Sequence, residues 1–253
     1  MTTAGSAAAF DLRLRQPGQG YRYSLDALLL ADFARLREGN ENVADLGTGC
    51  GIIPLLLARR YPQSTITGIE NNRQMAALAV ENVRENGLQD RLRIVEGDVL
   101  SVRTVFPVSL FDAVLSNPPF RTPRSGRTSP LPGRDSARHE TTATLADFLR
   151  AAKYLVKPAG RICFIHHPDR LTEFIRIAGE LKLGLLRLRM VHGKEGGSAK
   201  MFLAELAKGR KDAVTVEPPL FVYDLRGEYT EEAAGILMPQ PPGNSAGRAG
   251  ATF

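Results

Sequence analysis

The chain has 253 residues, 43% of them hydrophobic and 24% charged, enough apolar content for one sizeable core and too much for a disordered segment. The formal net charge of +6 favours phosphate-rich or otherwise acidic partners. Cys50 and Cys163, each inside an apolar run, argue against a disulfide framework and for a reducing, cytoplasmic setting. Residues 1–9 have no basic start leading into an apolar stretch, so no secretion signal is expected. No run approaches the roughly 18 to 20 apolar residues of a membrane span.

Taken in chain order, residues 1–9 and about 239–253 read as loose ends, the second being rich in Pro, Gly, Ser and Ala. Residues 43–47 read as a strand and 52–60 as a helix. A second strand over 65–70 leads into a helix over 73–86 that stops at Gly87. Strands follow at 92–98 and 111–116. A helix over 145–156 ends before Pro158 and Gly160, then come a strand at 161–166 and a helix at 169–181. Residues 185–191 and 201–207 close the series as two strands joined by a short Gly-rich stretch. Alternating strands and helices predict an α/β fold: a mostly parallel, seven-stranded sheet with helices on both faces. The last strand is antiparallel, because a parallel crossover needs a dozen or more residues.

Such sheets bind ligands beyond the carboxyl ends of their strands. The run Asp45-Leu46-Gly47-Thr48-Gly49-Cys50-Gly51 leaves a strand and opens a helix. Its glycines allow a sharp turn and close backbone approach, and the helix N-terminus adds amide donors. The spacing is G-x-G-x-G rather than the G-x-G-x-x-G of dinucleotide binders. Glu70, at the end of the second strand, can accept from both hydroxyls of a ribose. Asp98, after the third strand, is placed to accept from an adenine amine. Cys50 reads as a small filler of the turn.

This set resembles the class I S-adenosylmethionine (SAM)-dependent methyltransferases over about residues 43–210, with their Rossmann-like fold. The resemblance implies SAM as cofactor, with contacts from Asp45, Gly47, Gly49, Glu70 and Asp98, from their neighbours Thr48, Gly51, Asn71 and Val99, and from Asn117.

The stretch 111–120 ends in Asn117-Pro118-Pro119-Phe120. Two prolines remove two backbone donors, leaving acceptors around Asn117: its side-chain oxygen and the Pro118 carbonyl. An exocyclic amine conjugated to a ring is a poor nucleophile. Two acceptors on its N–H groups draw the nitrogen toward tetrahedral geometry and free its lone pair. Phe120 offers a face for a planar substrate to stack on. The motif is similar to that of the amino-group methyltransferases. These include adenine-N6 enzymes, ribosomal-RNA guanine-N2 enzymes and release-factor glutamine enzymes, and phenylalanine also occurs in the guanine group.

Two further segments narrow the likeness. Gln16-Pro-Gly-Gln-Gly-Tyr21-Arg22-Tyr23-Ser24-Leu25-Asp26 precedes the core. Arg121-Thr-Pro-Arg124-Ser-Gly-Arg127 and then Ala137-Arg138-His139-Glu140 follow the catalytic motif. With Asn117–Phe120 they resemble the bacterial valine-tRNA adenine-N6 methyltransferases, which act on the base 3′ of the anticodon. The resemblance implies a tRNA partner and a lid over SAM and target formed by Gln16, Tyr21, Arg22 and Asp26. It also suggests three parts: a cap over 1–40, a catalytic core over 41–210 and an extension over 211–253 with a tail from about 239.

Arg121, Arg124, Arg127, Arg134, Arg138 and His139 form a long basic loop beside the motif, opposed by Asp135 alone. Guanidinium forks suit phosphates, so this loop is expected to grip the RNA backbone. The 193–200 loop carries Lys194 and Lys200 but is expected mainly to join two strands. His166 and His167 lack partners at metal-ligand spacing, so no metal site is expected, nor a membrane partner. Monomer and homodimer stay open.

Overall fold

A computed structural model describes residues 3–7, 12–17, 25–37, 39–119, 143–209 and 213–237. In chain order it has β1 (Thr3–Ala7), β2 (Leu12–Gln16), α1 (Leu25–Phe33), β3 (Asn42–Leu46), α2 (Ile52–Arg60), β4 (Thr65–Glu70), α3 (Arg73–Glu85) and β5 (Leu92–Glu96). Then follow α4 (Val102–Val105), β6 (Phe111–Ser116), α5 (Leu145–Leu155), β7 (Val156–His166), α6 (Leu171–Glu180), β8 (Leu183–Lys194), β9 (Ala199–Lys208), β10 (Thr215–Val216), β11 (Leu220–Tyr223) and α7 (Glu231–Leu237).

The main sheet runs β5-β4-β3-β6-β7-β9-β8-β10, with β11 also on β8. It is parallel except for β9, which lies antiparallel between β7 and β8. Order reverses between β3 and β6, neighbours in the sheet whose following strands leave in opposite directions. The crevice above that pair is where a doubly wound sheet takes its ligand.

Nine strands stand where seven were expected. The two additions, β10 and β11, pair in parallel with successive parts of β8. Pro218 and Pro219 split them, and two residues without a backbone donor hide the strand pattern of 214–223. Residues 3–7, expected as a loose end, pair antiparallel with β2. A ladder needs only backbone groups, so their small side chains gave no sign of it. β7 begins at Val156 rather than at residue 161 and runs through Pro158 and Gly160, with a register shift against β6 between Phe111 and Ala113. Such an irregularity accommodates a residue that cannot donate. The helix expected at 169–181 opens with a separate 3₁₀ turn, Pro168–Arg170.

Local chemistry explains the boundaries near the site. Asn72 caps α3, its Oδ1 accepting from Met75 N at 3.0 Å. Thr144 and Asp147 form a reciprocal capping box at α5. In α2 every residue from Ile52 to Ala58 is buried, the pattern of a helix enclosed on all sides, and Pro54 sits in the first turn where its missing N–H leaves no gap. Strand residues alternate between two cores. Val43, Cys163 and Ile165 face the one containing α1 and α2, while Ala44, Leu46, Ile162 and Phe164 face the one under α5 and α6.

Candidate active site

The turn after β3 explains the glycine spacing. Gly47, Gly49 and Gly51 have φ of 73°, 58° and 85°, a left-handed region that other residues enter at a steric penalty. Between them Thr48 bends back, and its Oγ1 donates to Asp45 Oδ2 at 2.6 Å. Gly68 of β4 makes room for that bend. A Cβ there would lie 2.9 Å from Thr48 Cγ2 and 2.8 Å from Ile94 Cδ1. Glu70 ties the turn to the next strand: its Oε2 accepts from Gly49 N at 2.8 Å and its Oε1 from Asn72 N at 2.9 Å.

Asp45 is fully buried, and burial pushes its carboxyl up to about 7. The Thr48 hydrogen bond opposes this and the nearby Glu70 charge adds to it. Glu70 is also raised, by burial, against the pull of the Asn72, Gly49 and Asn71 backbone donors. Burial pushes the Cys50 thiol up to about 11, which makes it a filler rather than a nucleophile.

Beyond Glu70, Asn71, Arg73, Glu96, Gly97 and Asp98 line an open cavity of about 440 Å³. Asp98 Oδ1 accepts from Leu100 N at 2.9 Å, capping the 3₁₀ turn that Val99 begins. At the other end of the crevice, Ser116 Oγ donates to Leu46 O at 2.9 Å and locks the end of β6 to the end of β3. Asn117 and Pro118-Pro119 follow directly.

Among the described residues, four buried side-chain polar atoms have no hydrogen-bond partner: Gln16 Oε1, Asp45 Oδ1, Asn117 Oδ1 and Arg170 Nε. The last lies 2.6 Å from Glu173 Oε2 and is compensated by charge. The other three are acceptors, all on residues singled out from sequence. An acceptor left unpaired in a protein interior costs on the order of 1–3 kcal/mol, so such atoms concentrate where a ligand supplies the donor. The ammonium of a methionine moiety would satisfy Asp45, and a base amine would satisfy Asn117.

The structure thus pairs Thr48 with Asp45 and Gly49 with Glu70 by direct hydrogen bonds and sets Asn117 just past the neighbouring strand end. Asp26 is buried in the first turn of α1, and Gln16 ends β2. Tyr21, Arg22, Phe120, Arg121, Arg124, Arg127, Arg134, Arg138 and His139 lie outside the described residues. The 193–200 loop joins β8 to β9. His166 is buried and stacked on Phe202, its imidazole pushed down to about 4 by burial and the nearby Arg170, a neutral packing group. Sequence reasoning missed Arg73 and Glu96 in the cavity wall and Asn82 on α3. The signal for Asn82 was an asparagine on the apolar stripe of a helix.

Residues 26–172 match the family model described as methyltransferase small domain, more than half of the chain. A curated protein from Porphyromonas gingivalis, named tRNA1(Val) (adenine(37)-N6)-methyltransferase, is 31% identical over 88% of this chain and 90% of its own length. One of the same name from Actinobacillus pleuropneumoniae is 31% identical over 83% and 86%. Among solved structures, a predicted O-methyltransferase from Agrobacterium tumefaciens superposes with a TM-score of 0.68 at 23% identity, covering 84% of this chain and 95% of its own, a likeness of fold.

Proposed function

We infer that the protein transfers a methyl group from SAM to the N6 amine of adenine 37 in tRNA1(Val), because the chain belongs to the methyltransferase small-domain family and to the family of the tRNA1(Val) (adenine(37)-N6)-methyltransferases. The observation that carries the chemistry is the buried, unpartnered Asn117 Oδ1 at the sheet's switch point.

When bound, SAM supplies a methyl group on a sulfonium, with an ammonium, a ribose and an adenine as handles. We assign the ammonium to Asp45 Oδ1, the ribose hydroxyls to Glu70, whose oxygens keep spare lone pairs beside their backbone donors, and the adenine to the cavity lined by Asn71 and Asp98, with Val99 following Asp98 in the chain. Gly47, Thr48, Gly49 and Gly51 let the backbone approach.

Asn117 Oδ1 and the Pro118 carbonyl each accept one N–H of the target amine. That arrangement frees the nitrogen lone pair and needs no charged base before attack. With SAM held there, that nitrogen would take the methyl group from the sulfonium as the N–C bond forms, and the surplus proton on nitrogen would pass to solvent. Phe120 stacks on the base, and Arg121, Arg124, Arg127, Arg134, Arg138 and His139 contact the RNA backbone. Gln16, Tyr21, Arg22 and Asp26 cover the site. Residues 1–40 act as that cap, 41–210 as the catalytic core and 211–253 as an extension.

The test is methyl transfer from labelled SAM to unmodified tRNA, with ribosomal RNA and a release factor offered in parallel and products identified by mass after digestion. N6-methyladenosine at tRNA position 37, absent with Asn117→Ala, is expected. Label in ribosomal guanine or protein glutamine would overturn the substrate.

A further inference from the structure

Asn82 lies in the last turn of α3, fully buried, on the stripe that otherwise carries Ala76, Ala79 and Val83. Its amide is fully used. Oδ1 accepts from Arg15 N at 2.8 Å, and Nδ2 donates to Arg15 O at 3.0 Å and to Cys50 O at 2.9 Å. Asn86, one turn later, repeats the strand half of this pattern on Arg13, with bonds of 3.0 and 2.6 Å, and donates its remaining proton to Asn82 O at 2.7 Å.

The geometry has a simple origin. Residues four apart on a helix are separated by about 6 Å along the axis, and residues two apart on a strand by about 6.6 Å. Two asparagines at i and i+4 can therefore pair with alternate residues of an extended chain, as a neighbouring strand would. Asn86 touches only that strand and its own helix. Asn82 alone also reaches the glycine turn, through the Cys50 carbonyl. Leu12, Leu14 and Gln16 share the inward face of β2, the two leucines packed into the core and Gln16 Oε1 left without a partner. The bonds to Arg15 set the depth at which that acceptor sits.

We propose that Asn82 is a positioning residue that couples the seating of β2 to the shape of the 47–51 turn, so that binding in the turn and docking of the N-terminal strand strengthen each other. The proposal rests on reading that turn as part of the SAM site. Coupling is reciprocal: whatever β2 contributes to cofactor affinity, the cofactor returns as protection of β2.

Hydrogen exchange of single backbone amides, with and without S-adenosylhomocysteine, reads this directly in the full-length protein. In the wild type the ligand should slow exchange at the Arg15 amide by about tenfold, within the usual range of coupling between two sites. Asn82→Asp keeps the acceptor for Arg15 N and loses both donors. It should weaken calorimetric affinity for S-adenosylhomocysteine by about tenfold, the loss expected for hydrogen bonds that hold a binding loop, and abolish the ligand-dependent protection at Arg15. Asn86→Ala should speed exchange at Arg13 and leave the ligand affinity at its wild-type value. A merely structural role for Asn82 would make the two variants alike. Equal losses of affinity in both, or a wild-type Arg15 amide indifferent to ligand, would overturn the coupling. Absence of binding by the wild type would refute the cofactor reading of the turn as well.

Discussion

Replacing Asp45 with Asn should make the ligand-free protein more stable and remove SAM binding. Asp45 ionises near 3.8 in an unfolded chain and near 7 in the folded one, chiefly because it is buried. Between those values the unfolded chain sheds a proton that the folded protein keeps, so stability falls as pH rises through the window. Above 7 the loss is complete: roughly three pH units at about 1.4 kcal/mol each, or about 4 kcal/mol. Asn cannot ionise and escapes this loss. Its Oδ1 can still accept from Thr48, but its amide nitrogen replaces the unpartnered Oδ1 and takes back about 1–3 kcal/mol as a buried donor without an acceptor. A net gain of about 1–3 kcal/mol remains at pH 8, which for a chain of this size raises the melting temperature by roughly 2–12 °C. At pH 5 most of the ionisation penalty has gone from the wild type, and the advantage should shrink by about 3 kcal/mol. Thermal melts of both proteins at the two pH values, with calorimetric titration of SAM, make the comparison. A mutant no more stable at pH 8, or equally advantaged at both pH values, would refute the reasoning.

The same carboxyl makes cofactor affinity pH-dependent. Pairing with an ammonium requires the ionised form, so as pH drops below about 7 each bound SAM should release up to one proton, and affinity should fall towards tenfold per pH unit once Asp45 is protonated in the free protein; proton release measured by calorimetry in two buffers checks this. Asn117→Ala should lower kcat by about 10²–10³ with SAM affinity retained, the loss typical of one preorganised polar group, as read by methyl transfer and calorimetry together. Gly68→Ala places a Cβ against Thr48 and Ile94, so it should destabilise the fold by about 1–3 kcal/mol and loosen the Thr48–Asp45 clamp, seen in denaturant unfolding and a weaker SAM Kd. Neutralising Arg121, Arg124 and Arg127 together should weaken tRNA binding and flatten its salt dependence while SAM affinity stays unchanged; unaltered tRNA affinity across a salt series would exclude them as phosphate contacts.

Where one residue type at one spacing has a single physical use, the site could be read from sequence. Glycines at 47, 49 and 51 predicted backbone that other residues avoid, and all three have positive φ. Glu70 was singled out as a strand-end acid, and it does end β4. Its grip on Gly49 N could not be foreseen, because hydrogen bonds between adjacent strand ends depend on register rather than on residue type. β10 and β11 escaped notice because Pro218-Pro219 interrupts them, and β1 because its pairing uses only backbone. Asn82 was missed for a different reason: a helix interior gives asparagine no local role, and its partners lie 67 and 32 residues away.

Three buried acceptors without donors show how stability and function oppose each other in this fold. Asp45 Oδ1, Asn117 Oδ1 and Gln16 Oε1 each lower the stability of the empty protein, since each is buried without a donor. The Thr48 hydroxyl needs only one oxygen of Asp45, and the position after β6 needs no side-chain acceptor. Packing alone does not explain their presence, whereas ligands carrying an ammonium and an exocyclic amine do. On that view SAM should stabilise Asp45→Asn little at any pH, and the wild type most where Asp45 is already ionised. Below that pH, part of the binding energy is used to strip a proton from a buried carboxyl, which is why the protonation state of one residue, rather than the number of contacts, sets how tightly the empty turn can close on its ligand.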